Sequence, residues 1–111
     1  MNTVSLTTLV DEHLAAACTA GSGRSAHTVH GGHEQALRQT VIALTAGSGL
    51  AEHNSPGEAT LQVLRGRVRL TTAGQSAEAA AGDLLVIPPE RHSLDALDDS
   101  AVLLTVALRP L

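Results

Sequence analysis

From Ala26 onward the chain is written in short runs of Val, Leu, Ile and Thr, each closed by Gly, Pro, Asp or Asn, and that rhythm commits it to an all-β fold. The runs predict strands at His27–His30, Ala36–Thr45, Leu50–His53, Ala59–Leu64, Arg67–Thr72, Ala77–Ala80, Asp83–Ile87, His92–Leu97 and Ala101–Leu108. Turn residues return about every eight to twelve positions, and eight or nine short strands suit a small double-sheet jelly roll or barrel. Pro88-Pro89 offers no N–H to a ladder and therefore marks a strand end.

Only the N-terminal segment has helical periodicity. Leu6, Leu9, Val10, Leu14, Ala17 and Cys18 recur at spacings of three and four within Ser5–Ala20, with Ser5 or Thr7 available as N-cap and Gly21 past the end. The stripe must bury against the outside of the barrel or against a partner. Cys18 reads as a small buried hydrophobe, and His13 as a surface residue on the polar side. Thr19–Ser25, with two glycines, reads as a linker, so the expected organisation is a helix and linker over 1–26 and a barrel over 27–111.

A length of 111 residues supports one core and leaves no room for a second module. The absence of Phe, Tyr and Trp means a core of Leu, Val, Ile and Ala, and a pocket without stacking surfaces. Eleven carboxylates outnumber seven arginines, giving a formal net charge of −4 that repels a phosphate backbone; no recognition helix follows the first, and nucleic acid is not an expected partner. The alternating Arg65, Arg67 and Arg69 read as the solvent face of a strand. A single cysteine allows no internal disulfide. With no basic leader and no apolar run near the ~18 residues of a membrane helix, the chain is expected in the cytoplasm and away from membranes.

The stretch from Leu50 to Leu94 has a histidine near each end. His53 is the fourth residue of LAEHNSPGEATLQVLRGRVRL, which begins at Leu50, and Gly82-Asp83-Leu84-Leu85-Val86-Ile87-Pro88 is followed by His92. This layout resembles the two motifs of the cupin family. The resemblance spans about Ala36 to Leu108 and implies an RmlC-like double-stranded β-helix, a jelly-roll barrel here preceded by one α-helix. It also implies that His53 and His92 face one cavity near the barrel mouth, and that the chain pairs as a homodimer. The motifs depart from the metal-binding pattern H-x-H-x(3,4)-E: a gapless comparison puts Ser55 at the second His and Ala59 at the Glu. In motif two, Glu90 stands where the family has Gly, and His92 arrives one residue early.

Neutral imidazole suits Zn, Fe, Ni or Cu, but two imidazoles seldom hold a metal alone, so a divalent ion such as Zn, Ni, Mn or Fe would need a third ligand from outside the motifs. Glu58 and Gln39 are the foremost candidates, with Glu52, His30 and His33 behind them. Glu58 lies one residue before the expected glutamate, on the opposite strand face unless a bulge after Pro56-Gly57 turns it inward. The adjacent Arg38 and Gln39 interrupt a strand, and one of them must face the cavity, offering either an anion clamp or an amide. His27, His30 and His33 recur every three residues, which puts neighbours on opposite strand faces, and Gly31-Gly32 interrupts the run, so they read as solvated histidines of a hairpin or loop. No G-x-S-x-G elbow accompanies Ser55, and a base formed by His92 with Asp95 or Glu90 is disfavoured for Asp95 by strand alternation.

These readings lead to a small protein that binds a small polar molecule in a barrel pocket lined by His53, His92, Gln39, Arg38 and Ser55, with a divalent metal as an optional cofactor. Two further functions fit the same sequence. One is a metal-dependent enzyme of dioxygenase or isomerase type with an unusual ligand set, and the other is a sensory domain that docks a partner through its first helix.

Overall fold

The computed structural model describes residues 1–55 and 57–108. One helix precedes nine strands: α1 (Leu6–Thr19), β1 (Arg24–His30), β2 (Leu37–Leu44), β3 (Gly49–His53), β4 (Glu58–Arg65), β5 (Arg67–Thr72), β6 (Ser76–Ala80), β7 (Leu84–Ile87), β8 (His92–Ala96) and β9 (Ser100–Ala107). A five-stranded sheet in the order β1-β2-β9-β4-β7 lies over a four-stranded sheet in the order β3-β8-β5-β6, and every pairing is antiparallel. This is the jelly roll that the strand rhythm predicts.

Strand alternation gives the large sheet two apolar faces. Ile42 and Leu44 of β2, Ala59, Leu61 and Val63 of β4, Ile87 of β7, and Val102 and Val106 of β9 point between the sheets. There they meet Val68 and Leu70 of β5, Ala79 of β6, and Leu94 and Ala96 of β8. The intervening residues Val41, Ala43, Ala101 and Leu103 form a second apolar layer on the outside, and α1 covers it with Val10, Leu14 and Ala17. Each fully buried aliphatic side chain contributes about 1.5–3 kcal/mol, so the helix is held by its own barrel and its apolar stripe is not offered to a partner. Ser5 caps the helix by accepting the Thr8 N–H at 3.2 Å. Among the described residues no helix is long and apolar enough to cross a membrane.

Packing corrects three expectations. Cys18 is exposed. The buried stripe runs through Val10, Leu14 and Ala17, and the next residue is turned away by the roughly 100° step of a helix. His13 is half-buried, because it lies on the flank of the stripe that meets β1; it shares a 2.7 Å hydrogen bond with Ser25 Oγ and lies 5.6 Å from the His27 ring. Strand β1 begins at Arg24, so Arg24 and Ser25 belong to the sheet instead of the linker. Their local β propensity is low, but Leu44 and Ala43 of the long β2 strand supply ladder partners.

The sharpest turn joins β4 to β5 at Gly66, whose φ of +81° only glycine adopts freely. A Cβ there would run into Ser100 Oγ and the Asp99 carbonyl. The fully buried Ser100 closes the junction: its Oγ accepts the Arg67 N–H at 3.0 Å, and its proton reaches the carbonyls of Asp98 and Arg67 at 2.7 and 3.0 Å.

Candidate site at the barrel mouth

Short connections bring the ends of β3, β5 and β7, and the starts of β2, β4 and β8, to one end of the barrel. On the small sheet, His53, His92 and Thr72 stand in register across β3, β8 and β5. On the large sheet, Arg38, Val106, Ala59 and Ile87 stand in register across β2, β9, β4 and β7. The mouth thus has an imidazole-bearing wall facing a mainly aliphatic one. Leu70, Leu94 and Leu61 lie one layer deeper and keep the interior below it apolar.

His92 is buried, 4% exposed, whereas His53 is exposed. Their rings meet edge to face, with centroids 4.5 Å apart and planes inclined at 63°. The same local device orients both. His53 Nδ1 lies 2.9 Å from the Ala51 carbonyl, and His92 Nδ1 lies 2.8 Å from the Glu90 carbonyl. A carbonyl oxygen only accepts, so each Nδ1 carries the proton, and the neutral form of each ring has a bare Nε2 lone pair. No buried side-chain nitrogen or oxygen among the described residues lacks a partner, so the Nε2 of His92 reaches solvent through the mouth. Beside the pair, an exposed Arg91–Glu52 ion pair ties the ends of β8 and β3 together.

The other proposed site residues are dispersed. Ser55 follows His53 in the β3–β4 connection, where its hydroxyl donates to the Gly57 carbonyl at 2.7 Å and closes a turn. Glu58 begins β4 on the face opposite the inward Ala59. The bulge suggested at Pro56-Gly57 begins at a residue outside those described. Gln39 shares the outer face with Val41 and donates to Thr105 Oγ1 at 3.2 Å, so it does not line the mouth. Arg38, its neighbour, takes the barrel side, in step with Ile42. Glu52 is engaged by Arg91, and His30 stands in register with Gln39. Asp95 is exposed, and His92 Nδ1 is held by a main-chain carbonyl instead of a carboxylate.

This set does not fit a resident metal of the kind the family motif holds. Three or four ligands are usual, and the two positions that would complete the set carry a hydroxyl committed to a turn and a methyl group. Among the described residues no group of three or more His, Cys, Asp or Glu side chains converges as a metal cage.

A double-sheet antiparallel β-barrel with paired histidines at one end, above an apolar interior, defines a small jelly roll. The family model of the cupin domain matches residues 40–107, and the chain belongs to the cupin family. Among solved structures, it is similar to a conserved protein of unknown function from Streptococcus pyogenes, with 27% identity and a TM-score of 0.73 over 83% of this chain and 80% of that one. It is similar also to an RmlC-like cupin from Desulfovibrio desulfuricans, with 24% identity and a TM-score of 0.74 over 97% of each chain. A salicylate 1,2-dioxygenase variant from Pseudoaminobacter salicylatoxidans is similar in fold, at 22% identity and a TM-score of 0.75, over 96% of this chain and 37% of that enzyme. No curated protein matches the chain.

Proposed function

We propose that this cupin is a binding protein for a small polar molecule, held at the barrel mouth by the Nε2 atoms of His53 and His92 without a resident metal. The observation that carries this reading is the paired Nδ1–carbonyl hydrogen bond, at 2.9 and 2.8 Å, which fixes both rings with a lone pair free. Two fixed acceptors select a ligand that presents hydrogen-bond donors, such as hydroxyl or amide groups, and they need no reorganisation on binding. The aliphatic wall of Val106, Ala59 and Ile87 accommodates the ligand's carbon skeleton. Without aromatic residues to stack on, the pocket favours a short aliphatic compound over a ring system.

The test uses chelator-treated protein, with glycerol and lactate as probes and the imidazole nitrogen resonances of His53 and His92 as the readout. Saturable shifts of both rings, weakened at least ~10-fold in His53→Ala, are expected if each acceptor carries a direct hydrogen bond to the ligand. Shifts that appear only after a stoichiometric transition metal is added would contradict a metal-free site.

A further inference from the structure

Arg38 stands apart from the other arginines of this acidic chain. Arg65 pairs with Asp11, Arg67 with Glu78 and Asp98, Arg69 with Glu78, and Arg91 with Glu52, while Arg24 donates to the Gly49 carbonyl. Among the described arginines, Arg38 alone has neither a hydrogen bond nor an ion pair, although eleven carboxylates are available in the sequence. It lies on the barrel side of β2, at the same end as His53 and His92, and lines a cavity of about 570 Å³ beneath the β1–β2 turn.

The turn is built against this side chain. Gly31 has a φ of +133°, and a Cβ at that position would lie 3.1 Å from Arg38 Cγ and 3.2 Å from its Cα. A side chain at residue 31 would therefore press on the arginine stem, in a backbone conformation that L residues rarely adopt. The rest of the lining suits an anion with a short carbon chain: Thr28 and Gln35 bring a hydroxyl and an amide, His33 an imidazole, and Leu108 an aliphatic wall. A guanidinium has a planar fork that matches a carboxylate through two parallel N–H···O bonds. A phosphate dianion would call for more positive charge than one arginine offers inside a protein of net charge −4.

We infer that Arg38 and the β1–β2 turn form a carboxylate subsite at the edge of the barrel mouth, so that the ligand is a short aliphatic carboxylic acid. The inference rests on the mouth being a ligand site, and it adds the class of ligand. Hydroxyl or amide donors on such an acid would reach the imidazole Nε2 atoms while its carboxylate meets Arg38.

The experiment is a titration of the ¹⁵N-labelled, chelator-treated protein with sodium 4-hydroxybutyrate, which carries one carboxylate and one hydroxyl donor, run in parallel with inorganic phosphate at matched ionic strength. The amides of Gly31 and Gly32 and the Arg38 Nε–H report the subsite, and the imidazole nitrogens of His53 and His92 report the rest of the mouth. Saturable shifts at the subsite with 4-hydroxybutyrate, weakened at least ~10-fold in Arg38→Gln, are expected for loss of a charge-assisted bidentate contact. Arg38 is exposed, and the amide spectrum of the variant verifies its fold. No saturable shift, an unchanged affinity in Arg38→Gln, or saturation by phosphate alone would overturn the subsite. A response confined to Gly31, Gly32 and Arg38 upholds the subsite while contradicting the role of the imidazoles. A response of the imidazoles that survives Arg38→Gln unchanged does the reverse.

Discussion

His53 and His92 stand in register across β3 and β8 with ring centroids 4.5 Å apart, and each is anchored through Nδ1 to the carbonyl of the residue two positions before it. Because the anchors are main-chain atoms, ring orientation depends on the backbone at Ala51 and Glu90. The side chain of Glu90 is therefore dispensable for it. Family motif two has Gly at the place of Glu90, and the anchoring carbonyl would be present with either residue.

The two histidines should separate in stability. His92→Ala removes a buried ring, its hydrogen bond and its packing, and is expected to cost about 1–3 kcal/mol, whereas the exposed His53→Ala should change stability by less than ~0.5 kcal/mol. Urea denaturation measures both. Equal losses would mean that His53 is a structural residue instead of a ligand-facing one.

Rebuilding the family motif should create a metal centre. Ala59 is 4% exposed and inward-facing, so Ala59→Glu combined with Ser55→His adds a carboxylate and a third imidazole beside the existing pair. The double variant is expected to hold about one equivalent of Ni or Zn through a desalting column, with a thermal midpoint that rises on metal addition. The unmodified protein should retain well under one equivalent.

The β4–β5 junction is expected to be the least tolerant turn. Gly66→Ala forces a positive-φ alanine against Ser100 and Asp99, and Ser100→Ala leaves the Arg67 N–H without its partner. Each should destabilise the barrel by about 1–3 kcal/mol, read from chemical denaturation. A Gly47→Ala control, where a Cβ would meet nothing within 4 Å, isolates the backbone part of the cost at a φ of +85°.

The helix should behave as an integral part of the outer layer. Leu14→Ala removes a side chain 8% exposed and is expected to cost about 2–4 kcal/mol. Hydrogen exchange should show lost protection in α1 and in β1, whose Ser25 bonds His13. Protection lost in α1 alone would point to a loosely docked helix.

Much of the barrel was legible because strand boundaries in this chain coincide with turn residues. Gly66, Gly82 and Pro88-Pro89 each separate runs where a ladder also ends, although Asp83, read as the start of a strand, lies outside β7. The start of β1 was not legible, since Arg24 and Ser25 become strand through their pairing with β2 and not through their own propensity. The motif histidines were legible through the family pattern, and the outward Asp95 through strand alternation from His92. Between Arg38 and Gln39, alternation required one inward residue without saying which; the outward face went to Gln39, where α1 and Thr105 define the layer. Glu58 looked like a ligand by proximity in sequence, but it lies one residue and one strand face away from the inward position of Ala59. The tautomers of His53 and His92 had no sequence signal at all, because their partners are backbone carbonyls.

The most direct measurement is a long-range ¹H–¹⁵N correlation spectrum of the histidine rings in chelator-treated protein, recorded where the imidazoles are neutral. The proposed site predicts a protonated Nδ1 and a bare, pyridine-like Nε2 for both His53 and His92. A proton on Nε2 of either ring would remove one of the two acceptors and contradict the proposed binding site.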